Sequence, residues 1–240
     1  MSVVAFIPLR GGGKRIGLIN GLDKERAPLG GPPLMAWTIK AATESKVFSK
    51  VYSVTASNDH ATLAEKFGAK RFYRRPEWTA ADDSPDIDWV SWALKMLEDG
   101  EGLPDAFAIL RVTSPFRTAF HIREAWKRFF RNVGVDSLRT VRKVSEHPGK
   151  MWVIRQGKLL PLLPIGEEKE PWHSRATQQN FECYVQTAGM EFAWSEMVLK
   201  TGTIAGSTII PYVLEGEAAL DINTLLDWKA AEEIVRNAKR

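Results

Sequence analysis

The stretch Ile7-Pro8-Leu9-Arg10-Gly11-Gly12-Gly13-Lys14-Arg15 joins an apolar segment to a glycine loop that carries three cations. The apolar segment, 3–9, is short and is predicted to be a β-strand. Glycines adopt the positive φ angles that turn successive amide N–H groups toward one anion, and the three cations add charge-assisted hydrogen bonds. Open α/β sheets bind ligands at the carboxyl ends of their strands. The junction therefore predicts a phosphate site, with a plain basic turn as the alternative.

The pattern of this loop excludes two common kinds of phosphate site. A Walker loop requires Ser or Thr after its lysine, whereas Lys14 is followed by Arg15. The dinucleotide fingerprint G-x-G-x-x-G fails because Ile16 stands at its third glycine position. The loop continues through Asp23-Lys24-Glu25-Arg26 to Pro28-Leu29-Gly30-Gly31-Pro32-Pro33. It is long and basic enough to close over a triphosphate.

Strand-like and helix-like runs alternate after this loop. Strands are predicted at 51–55, 70–73, 107–110 and 137–144. One helix is predicted at 60–67. Three more are predicted from their start signals, which are Pro33, Ser84-Pro85-Asp86 and the N-cap Thr118. This order predicts a Rossmann-like α/β fold, with a mostly parallel sheet and helices on both of its faces.

The alternation breaks across 146–182, a segment with four prolines and a charged run. A hairpin is predicted from 151–155 through Gln156-Gly157, and the segment is interpreted as an excursion that serves as a lid or as an oligomer arm. Strands are expected again at 192–194 and 208–214. Thr224-Leu225-Leu226-Asp227 has the form of a capping box that opens the last helix. We expect one domain over 1–240 with this excursion inserted.

Composition narrows the class of protein. The chain has 240 residues, 44% of them hydrophobic, which is enough for one full core. The net charge of +4 comes from scattered cations, which favours a solvated surface or an anionic small substrate over nucleic acid. Cys183 is the only cysteine, so an internal disulfide is impossible and a reducing compartment is favoured. No apolar run approaches the ~18 residues of a membrane helix. We expect a cytoplasmic protein with neither nucleic acid nor a membrane as partner.

Four blocks of sequence, in the same order, resemble the acylneuraminate (CMP-sialic acid synthetase-like) cytidylyltransferases. The usual forms in that family are P-A-R-G-G-S-K-R-I, R-P-x-x-L, P-T-S-P-L-R and D-I-D-T. Here they are Pro8-Leu9-Arg10-Gly11-Gly12-Gly13-Lys14-Arg15-Ile16 with Lys24 and Pro28-Leu29-Gly30-Gly31, Arg75-Pro76-Glu77, Thr113-Ser114-Pro115-Phe116-Arg117, and Ile210-Pro211-Tyr212 leading to Asp221-Ile222-Asn223-Thr224. The resemblance spans nearly the whole chain and indicates a divergent member with the nucleotide-diphospho-sugar transferase type of fold.

The resemblance implies that an anomeric sugar hydroxyl attacks the α-phosphorus of CTP and releases pyrophosphate. Such transfers depend on positioning and charge neutralisation more than on a reactive nucleophile. By the family pattern, Arg10, Lys14 and Lys24 are catalytic. The implied nucleotide-binding residues are Leu9, Arg10, Gly11, Gly12, Gly13, Lys14, Lys24, Arg75 and Ser84. For Arg75 the alternative is a surface arginine, and for Ser84 alone a plain helix cap is preferred.

The same resemblance implies a Mg²⁺ site at Asp221 and Asn223. Mg²⁺ takes a few hard oxygen ligands together with substrate phosphates and water. Asn223 replaces the second aspartate of the family motif, so weaker metal binding is expected. An Asx turn ahead of Thr224 is an equal alternative for Asn223.

The implied sugar contacts are Arg111, Thr113, Arg175 and Gln186, and this pocket departs most from the family. Arg111 replaces a family glutamine; it would bind the carboxylate of an acidic sugar, or else form a structural salt bridge with Asp82 or Asp83. Arg175 matches a family arginine that reaches toward the site of a partner subunit, which implies a homodimer.

Two other functions stay open at this level. The loop binds phosphate and does not read the base, so a nucleotidyltransferase for another NTP or a neutral sugar is one alternative. A catalytically weak nucleotide-binding relative is the other, because Arg111 and Asn223 depart from the family pattern.

Overall fold

Alternating strands and helices build the computed structural model, which describes residues 1–11, 16–81, 83–167 and 169–238. Five residues named above lie outside the described residues: Gly12, Gly13, Lys14, Arg15 and Asp82. In chain order, the strands are β1 (Val3–Pro8), β2 (Lys50–Val54), β3 (Lys70–Arg71), β4 (Ala106–Ile109), β5 (Ser137–Lys143), β6 (Trp152–Arg155), β7 (Lys158–Pro161), β8 (Gly166–Glu167), β9 (Glu170–Pro171), β10 (Tyr184–Trp194) and β11 (Ile209–Val213). The helices are α1 (Leu34–Ser45), α2 (Asn58–Lys66), α3 (Asp86–Gly100), α4 (Ala119–Arg131), α5 (Ser195–Thr201) and α6 (Leu225–Asn237).

The main sheet has the strand order β11-β5-β10-β4-β1-β2-β3. Strand β1 pairs in parallel with β2 and β4, β2 with β3, and β11 with β5. Strand β10 runs antiparallel to β4 and β5, between which it lies. The mostly parallel α/β sheet predicted from the sequence is therefore confirmed.

Helices cover both faces of this sheet because its strands are apolar on both sides. Alternate residues of β1 enter two separate cores, Val3, Ala5 and Ile7 in one and Val4 and Phe6 in the other. The first core receives residues of α1, α4 and α6, and the second receives residues of α3 and α5. Each fully buried large apolar side chain stabilises the fold by about 1.5–3 kcal/mol. The sheet is thereby held rigid between two layers of helices.

Strand β10 was predicted only from 192 and in fact begins at Tyr184. Its first residues are exposed, and its pairing with β5 is irregular between Gln186 and Glu191, so the apolar pattern that marks a strand is missing there. Arg117 fixes the irregular segment. Its buried guanidinium donates to the carbonyl of Gly189 and to Thr38 Oγ1 on α1, and burial lowers its pKa to about 9.

Three helix starts differ slightly from the prediction, and α5 was not predicted. Helix α2, predicted from 60, begins at Asn58. Helix α1 begins at Leu34 with Pro33 as its N-cap, and α3 begins at Asp86 with Pro85 as its N-cap. Ser84 is therefore not the cap of α3; its hydroxyl donates to Asp88 Oδ2 at 3.1 Å. The capping box at Thr224 is confirmed, with the Asp227 amide donating to the Thr224 hydroxyl.

The excursion forms small hairpins outside the main sheet. Strands β6 and β7 pair as predicted and turn through Gln156 and Gly157, both at positive φ, as a tight two-residue turn requires. Strands β8 and β9 form a second short pair. Within the described residues, no helix is both long enough and apolar enough to cross a membrane.

Candidate functional site

A cleft of about 420 Å³ opens at the carboxyl ends of β1 and β4. Its walls come from the residues after β1, the residues after β4 and the segment that enters α3. Ligands of open α/β sheets bind at this edge, because loops that leave neighbouring parallel strands meet there. The structure therefore brings together residues that the sequence separates widely, including Arg10, Arg75, Ser84, Arg111 and Thr113.

Arg10 and Gly11 form the described start of the glycine loop. The Arg10 side chain is exposed, and its Nη2 donates to the carbonyl of Ser84 at 3.4 Å. Gly11 has a φ of 69°, and a Cβ at this position would lie 3.2 Å from the His60 ring. Both the backbone angle and the close approach therefore favour glycine. The Leu9 side chain is buried in the core, and its amide donates to the carbonyl of Val54.

Arg75 is buried, so the surface alternative considered for it is wrong. Its Nε donates to Thr79 Oγ1 at 3.0 Å, its Nη2 to the carbonyl of Thr79, and its guanidinium lies 5.3 Å from the Trp89 ring centroid. Burial and the nearby charge of Arg10 lower its pKa to about 10. Its Nη1 is buried without a hydrogen-bond partner among the described residues. A buried cationic donor of this kind, on the wall of a cleft, is suited to an anion.

Arg111 lies between two carboxylates. One guanidinium nitrogen donates to Asp86 Oδ2 and the other to Glu191 Oε1. Of the alternatives for Arg111, the structure shows a salt bridge, but its partners are Asp86 and Glu191, not Asp83, and Asp82 is not described. The reason is topological, since β10 places Glu191 beside the end of β4. A role for Arg111 in substrate binding stays a prediction.

Asp86 and Glu191 are the acids that balance the cations of this wall. Glu191 also pairs with Arg139 on β5 at 3.0 Å. Burial raises the pKa of Asp86, but the charge of Arg111 and hydrogen bonds from Trp89 and Arg111 outweigh it, so the pKa is lowered. Neither acid was predicted as a site residue, because neither belongs to the sequence motif that contains Arg111.

Lys24, Thr113 and the 221–223 segment meet at the other side of the site. Lys24 Nζ donates to the carbonyl of Ile222 at 3.0 Å, and the amide of Ile222 donates to the carbonyl of Thr113 at 2.8 Å. The hydroxyl of Thr113 is buried without a hydrogen-bond partner in the described part of the chain. Since Arg75 lines the cleft with Arg10 and Thr113, all four resembling blocks converge in space.

Asp221 offers an oxygen that suits a metal ion. Its Oδ1 is buried and has no hydrogen-bond partner among the described residues, while its Oδ2 accepts from Asn223 Nδ2 at 2.7 Å. The Asn223 backbone amide donates to Asp227 Oδ2 at 3.0 Å. Asn223 therefore orients Asp221, and the orphaned carboxylate oxygen is a hard ligand of the type that Mg²⁺ prefers.

Arg175 and Gln186 lie away from this cleft. Arg175 is in the excursion, where its Nη2 pairs with Glu170 at 3.3 Å. Gln186 is exposed on β10 opposite Val141. Within residues 1–11, 16–81, 83–167 and 169–238, neither makes a hydrogen bond or ion pair with the cleft walls. Their predicted role as sugar contacts stays a prediction.

Comparisons with known proteins give this site a context. Residues 4–128 match the family model described as cytidylyltransferase. The chain is 30% identical over 239 residues to the N-acylneuraminate cytidylyltransferase of Escherichia coli, covering 100% of this chain and 53% of that protein. It is 26% identical over 233 residues to that of Oncorhynchus mykiss, covering 97% of this chain and 50% of that protein. The chain thus spans about half the length of the curated relatives it matches.

Solved structures share the fold at lower identity. The CMP:2-keto-3-deoxy-manno-octonic acid synthetase complexed with CTP matches with a TM-score of 0.69 and 13% identity, covering 99% of this chain and 100% of that one. The 4-diphosphocytidyl-2C-methyl-D-erythritol synthase of Anaerococcus prevotii matches with a TM-score of 0.63 and 11% identity, covering 98% of each chain.

Proposed function

The chain belongs to the cytidylyltransferase family, and we propose that it couples CTP to an acidic sugar to give a CMP-sugar and pyrophosphate. The observation that carries the proposal is the meeting of Arg10, Arg75 and Thr113 at one cleft on the carboxyl edge of the sheet. The relatives at 26–30% identity are named for an acylneuraminate. The fold neighbour complexed with CTP is named for another keto sugar acid.

The triphosphate would lie across the cationic wall. Arg10 is exposed at the cleft, and the buried Nη1 of Arg75 gives a fixed donor for a phosphate oxygen. Lys24, held against the 221–223 segment, would neutralise charge that develops on the departing pyrophosphate. In the reaction the sugar oxygen forms a bond to the α-phosphorus as the bond to pyrophosphate breaks, and the proton of the sugar hydroxyl is released to solvent. Fixed positive groups lower the barrier because they need no reorganisation as this charge develops.

A magnesium ion fits the same arrangement. Asp221 would hold it through Oδ1, with Asn223 keeping the carboxylate in place. When bound, Mg²⁺ supplies positive charge to the phosphate oxygens. The protein's own contribution is to present a single, already desolvated carboxylate oxygen and to hold Lys24 nearby.

The acidic sugar would bind beyond the α-phosphate, where the Thr113 hydroxyl has no hydrogen-bond partner within the described part of the chain. Arg111 would contribute positive potential while it remains held by its two acids. Arg175 pairs with Glu170 in the excursion and does not line the cleft of its own chain. Its proposed contact with the sugar would therefore come from a second copy of the chain. We therefore include a homodimer in the proposal.

A substrate panel tests this function. The four NTPs are crossed with a set of sugar acids and neutral sugars, with and without Mg²⁺, and pyrophosphate release is measured. Turnover that requires CTP, a sugar acid and Mg²⁺ supports the proposal. Turnover with another NTP or with a neutral sugar would replace it by the broader nucleotidyltransferase alternative. Nucleotide binding without turnover on any pair would favour a catalytically weak relative.

Two substitutions test the residue roles. Arg10→Ala and Asp221→Ala are each expected to lower kcat/KM by ~10²-fold or more, the scale for removing one electrostatic stabiliser. Arg131→Ala, an exposed arginine at the end of α4, is the matched control and is expected to keep wild-type rates. A wild-type rate for Asp221→Ala would remove its metal role.

A further inference from the structure

A second cluster of ligand-type side chains lies beneath the start of the glycine loop. Asp23, Glu25 and His60 are 4%, 7% and 3% exposed, respectively. One ligand atom from each lies within 4.8 Å of one from each of the others. Asp221, which pairs with Asn223, is not a member of this cluster. None of its members was identified as a site residue from the sequence.

The His60 ring is held in a defined orientation within this cluster. Its Nε2 lies 3.0 Å from Asp23 Oδ1, and the other oxygen of Asp23 accepts from Arg26. The ring also packs against Gly11, where a Cβ would lie 3.2 Å from its Cε1. Histidines that ligate metals are oriented in this way, by a carboxylate on one ring nitrogen.

Two atoms of the cluster are buried without hydrogen-bond partners among the described residues, Glu25 Oε2 and His60 Nδ1. Buried polar atoms are nearly always paired, so each such atom calls for a missing partner. Both are electron-pair donors when Glu25 is ionised and His60 is neutral with its proton on Nε2. One ligand atom of Glu25 lies within 4.8 Å of one of His60, so a cation is a suitable shared partner for the two residues.

We propose that Asp23, Glu25 and His60 form a binding site for one divalent transition-metal ion. One imidazole together with carboxylates suits ions such as Zn²⁺, Mn²⁺ or Co²⁺, whereas Mg²⁺ is usually bound by oxygen ligands alone. The Glu25 carboxylate offsets part of the charge of the ion in a buried place, while Asp23, paired with Arg26, orients the His60 ring. Glu25 also lines the cleft, so an ion held here borders the space assigned to the triphosphate.

Cobalt titration of the full chain, without nucleotide, tests the site independently of turnover. Co²⁺ in a nitrogen and oxygen site gives visible absorption, and we expect saturation at one ion per chain. Glu25→Gln, which keeps the side-chain shape, is expected to weaken Co²⁺ binding by at least ~10-fold, the lower end of the effect of losing even an outer-shell partner. Glu77→Gln, at an exposed glutamate, is the matched control. Asp221→Asn is expected to leave this binding unchanged.

Line broadening by Mn²⁺ in proton spectra locates the ion. Of the four histidines of the chain, we expect only the ring protons of His60 to broaden at low Mn²⁺. Circular dichroism checks that the Glu25→Gln protein is folded. The proposal is overturned if Co²⁺ does not bind, if Glu25→Gln binds it as tightly as wild type, or if Asp221→Asn abolishes the binding. None of these measurements depends on turnover, so failure of the CTP reaction would not count against the metal site.

Discussion

Replacing Glu191 by glutamine is expected to destabilise the fold substantially, because this one carboxylate pairs with two arginines. Its side chain is 4% exposed; Oε1 accepts from Arg111, and Oε2 lies 3.0 Å from Arg139 Nη1. Glutamine keeps the size of the side chain but removes its charge. Arg139 then loses its ion pair with Glu191, and among the described acids Arg111 retains Asp86.

The magnitude follows from burial. Breaking a buried ion pair by removing one partner costs 3–5 kcal/mol, because the remaining charge is left uncompensated. The side chains of Arg111 and Arg139 are 25% and 21% exposed, so water solvates part of the remaining charge. We therefore expect the lower end of this range, about 3 kcal/mol of unfolding free energy. For a chain of this length that corresponds to a fall in Tm of about 6–12 °C.

Urea unfolding followed by tryptophan fluorescence measures this loss, since Trp89 is buried in the core. The control is Glu65→Gln, which breaks a pair with Arg71 at 3.0 Å whose side chains are 42% and 41% exposed. That exposed pair is expected to contribute less than about 1 kcal/mol. If Glu191→Gln costs no more than Glu65→Gln, with equal m-values, the assigned role of the Glu191 network is refuted.

Three further changes test other parts of the fold. Thr224→Ala removes the cap of α6 and should cost about 1 kcal/mol in urea unfolding; an unchanged midpoint would contradict the capping assignment. Gly30→Ala places a Cβ 2.1 Å from Val235 Cγ1 at a φ of 67°, and should lower Tm by several degrees; Val235→Ala in the same chain should recover part of that loss, and no recovery would exclude the clash as its cause. The lowered pKa of Asp86 means that its stabilisation by Arg111 is present above the ordinary value of 3.8 and is lost as pH falls through the folded value; Asp86→Asn should therefore flatten the fall of Tm with acid, and a parallel fall would exclude this linkage.

The order of the main elements was predictable because it depends on local patterns. The strand at 3–9 was predicted from an apolar run, and the later helices were predicted from apolar residues spaced along one face. Their predicted bounds lie within a few residues of those observed. The first half of β10 was missed, because its exposed residues pair with β5 without an apolar alternation. Short elements that depend on a neighbour for their stability carry little local signal.

The site was partly predictable, through blocks of sequence and not through geometry. Lys24, Thr113 and Asp221 were grouped by the resemblance, and Lys24 and Thr113 both contact Ile222, the residue after Asp221. The acids that hold Arg111 were not predicted. The expected partners were Asp82 and Asp83, which lie in the segment before α3. Glu191 reaches Arg111 only because β10 lies antiparallel beside β4.

Local sequence was therefore sufficient for the fold class and for the start of the glycine loop after β1, since periodicity, glycines and caps act over a few residues. The pairing of charges depended on the folded chain. Arg111 and Glu191 are 80 positions apart, and His60 and Asp23 are 37 positions apart. Contacts at such separations are set by strand order and helix packing, and no pattern within a short stretch of sequence encodes them.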